Sequence, residues 1–267
     1  MSTKTLLAIA FLALVAGLGA FAVHMGLVPP GVMGRAADGA SSATSSENEK
    51  SIAKGSREDD AYIAYDQGQY LTALKLAEEA AAKNDPQAHT LIGRIYAEGR
   101  GVPKDEATAA RWYARAAELD DVPAMVELGN MLAEGRGVAK DRKLAAEMFE
   151  KAALTGDPMA NYNLGLLFLR GDGKPENPIR AAAHIRYAAE KGIAAAQYDL
   201  AALYQNGKGV DFDGLEAATW MSKAAAQGLP AAQYDYAVML LRGQGLKRDE
   251  AKAIPLLEIV VHGPSSH

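Results

Sequence analysis

Small and apolar residues recur along most of this chain with a spacing of 36 residues. The first set comprises Ala88, Ala124, Ala160, Ala196 and Ala232, with Ile92, Leu128, Leu164 and Leu200 four positions later. A second set of alanines follows in each period, at Ala109, Ala145, Ala181, Ala217 and Ala253. Side chains three or four residues apart share one face of an α-helix. Each period therefore predicts two amphipathic helices, here called helix A and helix B.

A Gly-x-Gly segment separates the two helices of each period, beginning at Gly99, Gly135, Gly171, Gly207 and Gly243. The first glycine suits the left-handed residue that ends a helix. Residues with N-cap side chains then precede helix B, at Asp105, Asp141, Asn177, Asp213 and Asp249. A regular period of this length is typical of a solenoid of stacked helical hairpins. The predicted fold class is therefore an all-α solenoid.

Glycine also recurs inside helix A, at Gly93, Gly129 and Gly165, and alanine replaces it at Ala201 and Ala237. Glycine weakens a helix interior, so its recurrence there needs a reason. We expect a helix to pack too closely at these positions for a larger side chain.

These motifs resemble the Sel1-like repeat, a longer-looped relative of the tetratricopeptide repeat. The resemblance covers residues 87–263, as five repeats of 36-residue period, and residues 58–86 look like an atypical tetratricopeptide-like capping repeat. It implies a superhelix that binds a protein or peptide on the concave helix A face, as a scaffold or adaptor. Pro255 lies inside the last helix B, where we expect it to kink or shorten the helix.

The first 34 residues differ from the rest. An uninterrupted apolar run from Leu6 to Val23 can cross a bilayer core of about 30 Å as a helix. Residues 1–34 are therefore predicted to be a signal-anchor transmembrane helix, with residues 5–28 in contact with the membrane. The alternative is a signal peptide cleaved after Ala22. Lys4 favours an orientation that exports the repeats, and the polar residues 35–57 form a flexible linker.

Composition excludes several kinds of function. Residues 58–267 hold 23 basic and 30 acidic residues, which argues against a nucleic-acid surface. The chain has no cysteine. None of its five histidines has metal-ligand spacing with another within one repeat, and Ser222 is the one serine in 58–263. We therefore expect no cofactor, no metal site and no catalytic site. His184 aligns with Trp112 and Trp220 and is expected to pack in the core.

Partner binding is predicted on helix A, where polar and tyrosine residues align between repeats. The candidate residues are Asn161, Tyr162, Asn163, Gln197, Tyr198, Asp199, Gln233, Tyr234 and Asp235. The alternative for the tyrosines is packing between neighbouring hairpins. A second candidate is the apolar C-terminal helix, which would dock on a partner or on a second copy.

The sequence thus predicts a non-enzymatic adaptor, tethered to the membrane and exposed on the extracytoplasmic side, which is the periplasm in a bacterium. Two alternatives remain open. Some periplasmic proteins with Sel1-like repeats restrain a membrane sensor kinase, and this chain resembles them in size and layout. The other alternative is the binding or hydrolysis of an envelope polymer.

Overall fold

The computed structural model describes residues 57–262, so the predicted anchor and nearly all of the predicted linker lie outside the described residues. Within this range the chain forms twelve α-helices and no β-strand. In chain order they are α1 Arg57–Asp66, α2 Tyr70–Ala81, α3 Pro86–Glu98, α4 Glu106–Glu118, α5 Val122–Glu134, α6 Arg142–Leu154, α7 Pro158–Arg170, α8 Pro178–Glu190, α9 Ala194–Asn206, α10 Gly214–Ala226, α11 Pro230–Arg242 and α12 Glu250–His262.

The helices pair into six hairpins that stack in chain order. Each helix packs against the helix before it and the helix after it, and α1 also touches α3. The odd-numbered helices from α3 onward are the predicted helix A, and the even-numbered ones from α4 onward are helix B. The prediction of an all-helical solenoid of stacked hairpins is confirmed. No helix in residues 57–262 is both long and apolar enough to span a bilayer.

Side-chain caps begin most of the helices. The predicted caps of helix B are present: for example, Asp105 accepts a hydrogen bond from the Thr108 amide and Asn177 from the Arg180 amide. Helix A has caps that the sequence analysis did not identify. Asp85, Asp121 and Asp157 accept from backbone amides in the first turns of α3, α5 and α7. These bonds satisfy amides that have no partner within a helix.

The two glycines of each loop have different roles. The first ends helix A in the left-handed conformation, with φ between 60° and 80° in all five repeats. The second also has positive φ, and it packs on the preceding repeat. A Cβ added to Gly137 would lie 2.2 Å from the Glu106 carbonyl oxygen, at the start of the previous helix B. Each of these loops therefore depends on the absence of a side chain at two points.

Glycines inside helix A face large side chains of helix B, as predicted. A Cβ on Gly93 would lie 2.8 Å from the Tyr113 ring, and one on Gly129 would lie 2.6 Å from Phe149 Cε1. Alanines fill much of the remaining interface, and Ala109, Ala145, Ala181, Ala217 and Ala253 are all fully buried. Helices A and B therefore approach closely along the array.

The last helix departs from expectation. We expected Pro255 to kink or shorten it, but α12 has 13 residues, as many as the other helices from α3 onward, so the prediction of shortening is wrong. Pro255 removes only the bond to the Ala251 carbonyl, and Ala251 is exposed, so water can replace that bond. Ile254, Ile259 and Val260 are also exposed on α12.

Candidate binding surface on helix A

The tyrosines of helix A form hydrogen bonds between consecutive repeats. The Tyr162 hydroxyl on α7 donates to Asp199 Oδ2 on α9 over 2.8 Å. The Tyr198 hydroxyl on α9 donates to Asp235 Oδ2 on α11 over the same distance. Here we call these two bonds the tyrosine–aspartate ladder. Because each bond joins two helix A segments, the ladder fixes neighbouring repeats against each other.

The amide side chains of the same region are also used within the chain. Asn163 Nδ2 donates to Asn130 Oδ1 over 2.9 Å, and Asn161 Nδ2 donates to the Asp157 carbonyl over 2.9 Å. Gln197 donates to the Ala189 carbonyl and accepts from Gln227. The bonds of Asn163 and Gln197 join helix A to the preceding helix and to the neighbouring repeats, whereas the Asn161 bond lies within the first turn of α7.

Burial divides the nine predicted binding residues into two groups. Asn161, Tyr162, Asn163 and Gln197 are buried, and Tyr162 is fully so. Direct contact of these four side chains with a partner does not fit their burial. The other five are half-buried, and partner binding stays a prediction for them: Tyr198, Asp199, Gln233, Tyr234 and Asp235.

Burial is the main influence on the pKa values of Tyr198 and Asp235 in the ladder. Burial raises the pKa of the Tyr198 hydroxyl above its usual range, and the nearby Asp235 carboxylate raises it further. Burial also raises the pKa of Asp235, and the hydrogen bond from Tyr198 offsets part of that rise. The tyrosines therefore remain protonated donors at neutral pH.

His184 is only half-buried, although it aligns with two tryptophans. Its ring stacks on Phe168 with 5.8 Å between centroids, and Nδ1 lies 2.9 Å from Asn161 Oδ1. The Arg180 guanidinium lies over the Phe168 ring at 4.3 Å. Burial lowers the pKa of His184, and Arg180 lowers it further. Within residues 57–262, no three side chains of His, Asp or Glu are grouped to hold a metal ion.

A further residue on helix A, Glu127, was not identified from the sequence. It lies 36 residues before Asn163, in the column that continues through Asp199 and Asp235. Thr90, which aligns with Tyr162 of the ladder, donates instead to Asp121 over 2.8 Å. Glu127 forms no hydrogen bond with the described part of the chain, and burial raises its pKa. Alignment of the repeats at their 36-residue spacing would have been enough to identify Glu127 from the sequence.

Tyr162→Phe tests the ladder. Removing the hydroxyl leaves a half-buried carboxylate without that donor, so the free energy of unfolding is expected to fall by about 1.5–3 kcal/mol. Tyr234→Phe is the matched control, because Tyr234 forms no hydrogen bond within residues 57–262. Urea unfolding of both variants measures the difference, and an equal loss would contradict a role for the Tyr162–Asp199 bond.

The repeats match a known family along most of the described chain. Five consecutive segments match the Sel1 repeat, over residues 86–121, 122–157, 158–193, 194–229 and 230–258. The chain belongs to the Sel1 repeat family. Sel1 repeat proteins are scaffolds for protein–protein interaction, and their fold is typically non-enzymatic.

Solved structures support the same assignment. A Sel1 repeat protein from Oxalobacter formigenes is 28% identical with a TM-score of 0.72, and the match covers 77% of this Sel1 repeat chain and 82% of that one. A protective antigen present in uropathogenic Escherichia coli strains is 27% identical with a TM-score of 0.72. That match covers 80% of this chain but 47% of the antigen.

An immunity protein from Pseudomonas aeruginosa shares the fold. It is 20% identical with a TM-score of 0.52, over 78% of this chain and 84% of that one. A comparison with curated protein sequences finds no match.

Proposed function

We propose that this Sel1 repeat protein is a membrane-tethered adaptor that binds a protein or peptide segment on helix A. Residues 5–28 would hold the chain in the membrane, and the repeats would lie on the extracytoplasmic side, the periplasm in a bacterium. Cleavage after Ala22 would instead release the repeats into that compartment. The apolar segment and the polar linker in the sequence support the tether.

The observation that carries the binding proposal is the environment of Glu127 on α5. Its carboxylate is half-buried and is not used by the chain's own hydrogen bonds, whereas Asp199 and Asp235, in the same column, each accept a tyrosine hydroxyl. A buried carboxylate costs stability unless something compensates it. A partly buried carboxylate that forms no hydrogen bond within the described chain can accept one from a partner.

Charges around Glu127 indicate the chemistry of the partner. Arg94 and Arg136 lower the pKa of Glu127, and Glu98 and Glu134 raise it, but burial dominates. Arg136 has other acidic neighbours, because it pairs with Glu134 and with Glu106, and Arg94 lies over the Tyr65 ring. The cluster therefore has three carboxylates on helix A and two arginines. A lysine or arginine side chain of the partner would complete it by pairing with Glu127.

Affinity capture with the Glu127→Lys variant tests this proposal. The full chain would be the bait in a detergent extract of the membranes of its own source, beside Glu127→Lys and Glu147→Lys. Glu147 is an exposed residue on helix B, so it controls for the change in charge. We expect one partner to be captured by the wild type and by Glu147→Lys, and to be lost with Glu127→Lys, because the new ammonium would repel the partner's basic group.

Circular dichroism must show equal folding of the three proteins. Equal capture by all three would contradict a binding site at Glu127. A captured sensor kinase would favour the regulatory version of the adaptor over a general scaffold.

Self-association through α12 stays a prediction. In helix B of the inner repeats, the positions equivalent to Ile254 and Val260 are alanines that are fully or nearly fully buried, such as Ala218 and Ala224. On α12 the larger side chains are about one third exposed. In the inner repeats, helix A of the next repeat covers these positions. On α12 another α-helix, such as α12 of a second copy, could cover Ile254 and Val260 in the same way.

A further inference from the structure

Three large apolar side chains are strongly exposed around the loop between α9 and α10. Phe212 in that loop is 71% exposed, Leu215 at the start of α10 is 66% exposed, and Ile179 at the start of α8 is 73% exposed. We call these three residues the loop-edge patch. Burying exposed aliphatic and aromatic side chains is favourable, so a patch of this kind marks a contact surface.

Packing of the loops places the three residues along one edge. A Cβ on Gly209 would lie 2.0 Å from the Pro178 carbonyl oxygen and 3.1 Å from the Ile179 amide, so the Phe212 loop packs on the start of α8. A Cβ on Gly214 would lie 3.9 Å from Phe212 Cζ. Because the loops at Gly137, Gly173 and Gly245 pack on the preceding helix B in the same way, these four loops form one continuous edge of the solenoid.

Among the five repeats, only the third and fourth contribute to the patch, although Leu71, at the equivalent position of the leading hairpin, is also 65% exposed. The positions equivalent to Phe212 hold charged residues, namely Lys104, Lys140, Glu176 and Arg248. Those equivalent to Ile179 and Leu215 in the other three repeats hold Ala107, Lys143 and Ala251. Repeat geometry therefore does not require an apolar residue at either position.

Charge along this edge differs from that of the rest of the folded chain. The segments 99–106, 135–142, 171–178, 207–214 and 243–250 carry nine basic residues. They carry five acidic residues besides the four aspartates that cap helix B. With these caps included the edge is neutral, whereas residues 58–267 as a whole have a net charge of −7. An anionic surface therefore repels this edge as a whole less than it repels the rest of the folded chain. The two loops next to the patch, 171–178 and 207–214, hold two basic and four acidic residues, so the attraction there would come from the apolar side chains rather than from charge.

We propose that the loop-edge patch docks on the lipid surface of the membrane, with Phe212, Leu215 and Ile179 inserted among the headgroups. This inference rests on the proposed membrane tether. The predicted linker of 23 residues, 35–57, has a root-mean-square length of about 24–29 Å if it is flexible. A tether of that reach keeps the solenoid at a high effective concentration next to the bilayer, so a small patch suffices.

A lipid surface fits the patch better than a second protein. Each of the three side chains projects from a loop or from a first helical turn, with two thirds or more of its surface exposed. A stable protein interface needs about 800 Å² of complementary surface on each partner. Single aromatic and aliphatic side chains enter the headgroup region of a bilayer without such complementarity.

The cysteine-free chain allows a direct test with one fluorescent label. The full chain would be labelled with an environment-sensitive dye at Asp211→Cys, beside the patch, or at Ala139→Cys, the equivalent loop position two repeats earlier. Both sites are exposed. Each protein would be reconstituted into liposomes of phosphatidylcholine and phosphatidylglycerol, with and without a nitroxide-labelled lipid.

We expect the dye at position 211 to shift its emission to shorter wavelength and to be quenched by the nitroxide lipid, while the dye at position 139 stays in water. Replacing Phe212, Leu215 and Ile179 by serine should abolish the shift without changing the melting temperature, because all three side chains are exposed.

Three outcomes would overturn the inference. A chain that floats with the liposomes while the dye at position 211 stays in water would refute lipid docking and leave the tether intact. A chain that does not float would refute both docking and tether. A dye that is shielded in native membranes, but not in liposomes, would assign the patch to a protein partner.

Discussion

Gly137→Val is expected to lower the free energy of unfolding by about 2–5 kcal/mol. Two costs add. The residue has φ of +67°, where a side chain costs about 1–2 kcal/mol. Its Cβ would also lie 2.2 Å from the Glu106 carbonyl oxygen, and overpacking against backbone costs about 1–3 kcal/mol or more. Urea unfolding followed by circular dichroism would measure the loss.

Gly228→Val is the matched control for this prediction. Gly228 has φ of +81°, but a Cβ there would meet nothing within 4 Å. It should therefore show only the conformational cost of about 1–2 kcal/mol. If both variants lost the same free energy, the contact of the Gly137 loop with the preceding repeat would carry no stability, and the loop glycines would matter only for their backbone conformation.

The second loop glycine belongs to the interface between repeats. Cβ atoms on Gly137, Gly173, Gly209 and Gly245 would all lie within 2.2 Å of a carbonyl oxygen at the start of the preceding helix B. Gly101 differs, since its nearest neighbour would be Tyr70 Cβ at 3.0 Å. The leading hairpin, α1 and α2, lacks the Gly-x-Gly loop. The first junction of the array is therefore built differently from the four that follow.

Local signals in the sequence predicted the fold well. Helix periodicity, glycine C-caps and the aspartates before helix B depend on residues within one repeat, so a single sequence reveals them. The caps at Asp85, Asp121 and Asp157 follow the same rule, so the sequence alone could have predicted them. At Pro255 the helix was expected to kink or shorten, but it keeps its full length, and the residue whose carbonyl loses its bond, Ala251, is exposed to water.

The candidate surface was harder to predict because its bonds cross between repeats. Tyr162 reaches Asp199, a separation of 37 residues rather than the 36 of the repeat. Alignment of the repeats placed the tyrosines at one position of helix A and the aspartates at the next position. It did not show that each tyrosine contacts the aspartate of the following repeat. Whether an aligned polar side chain binds a partner or its neighbour depends on this lateral packing, which only the three-dimensional structure shows.

Gly129 inside helix A faces a large ring of helix B, and enlarging this glycine is expected to destabilise the fold. Gly129→Ala would place a Cβ 2.6 Å from Phe149 Cε1, and Phe149 is fully buried. The clash with this buried ring is expected to cost about 1–3 kcal/mol. The gain in helix propensity from glycine to alanine, about 1 kcal/mol, offsets part of it, so the free energy of unfolding is expected to fall by up to about 2 kcal/mol.

Another repeat of the same chain already combines alanine at the glycine position with a smaller, flexible facing residue. In the fourth repeat alanine occupies the glycine position, at Ala201, and the facing residue is Met221, which packs in the same cluster. Met has an unbranched, adaptable side chain, whereas a phenylalanine ring is rigid. Adding Phe149→Met to Gly129→Ala should therefore restore stability, with a coupling energy of at least about 1 kcal/mol in a double-mutant cycle. If the losses of the two single variants simply added, the size of the facing ring would not be the reason for glycine at position 129.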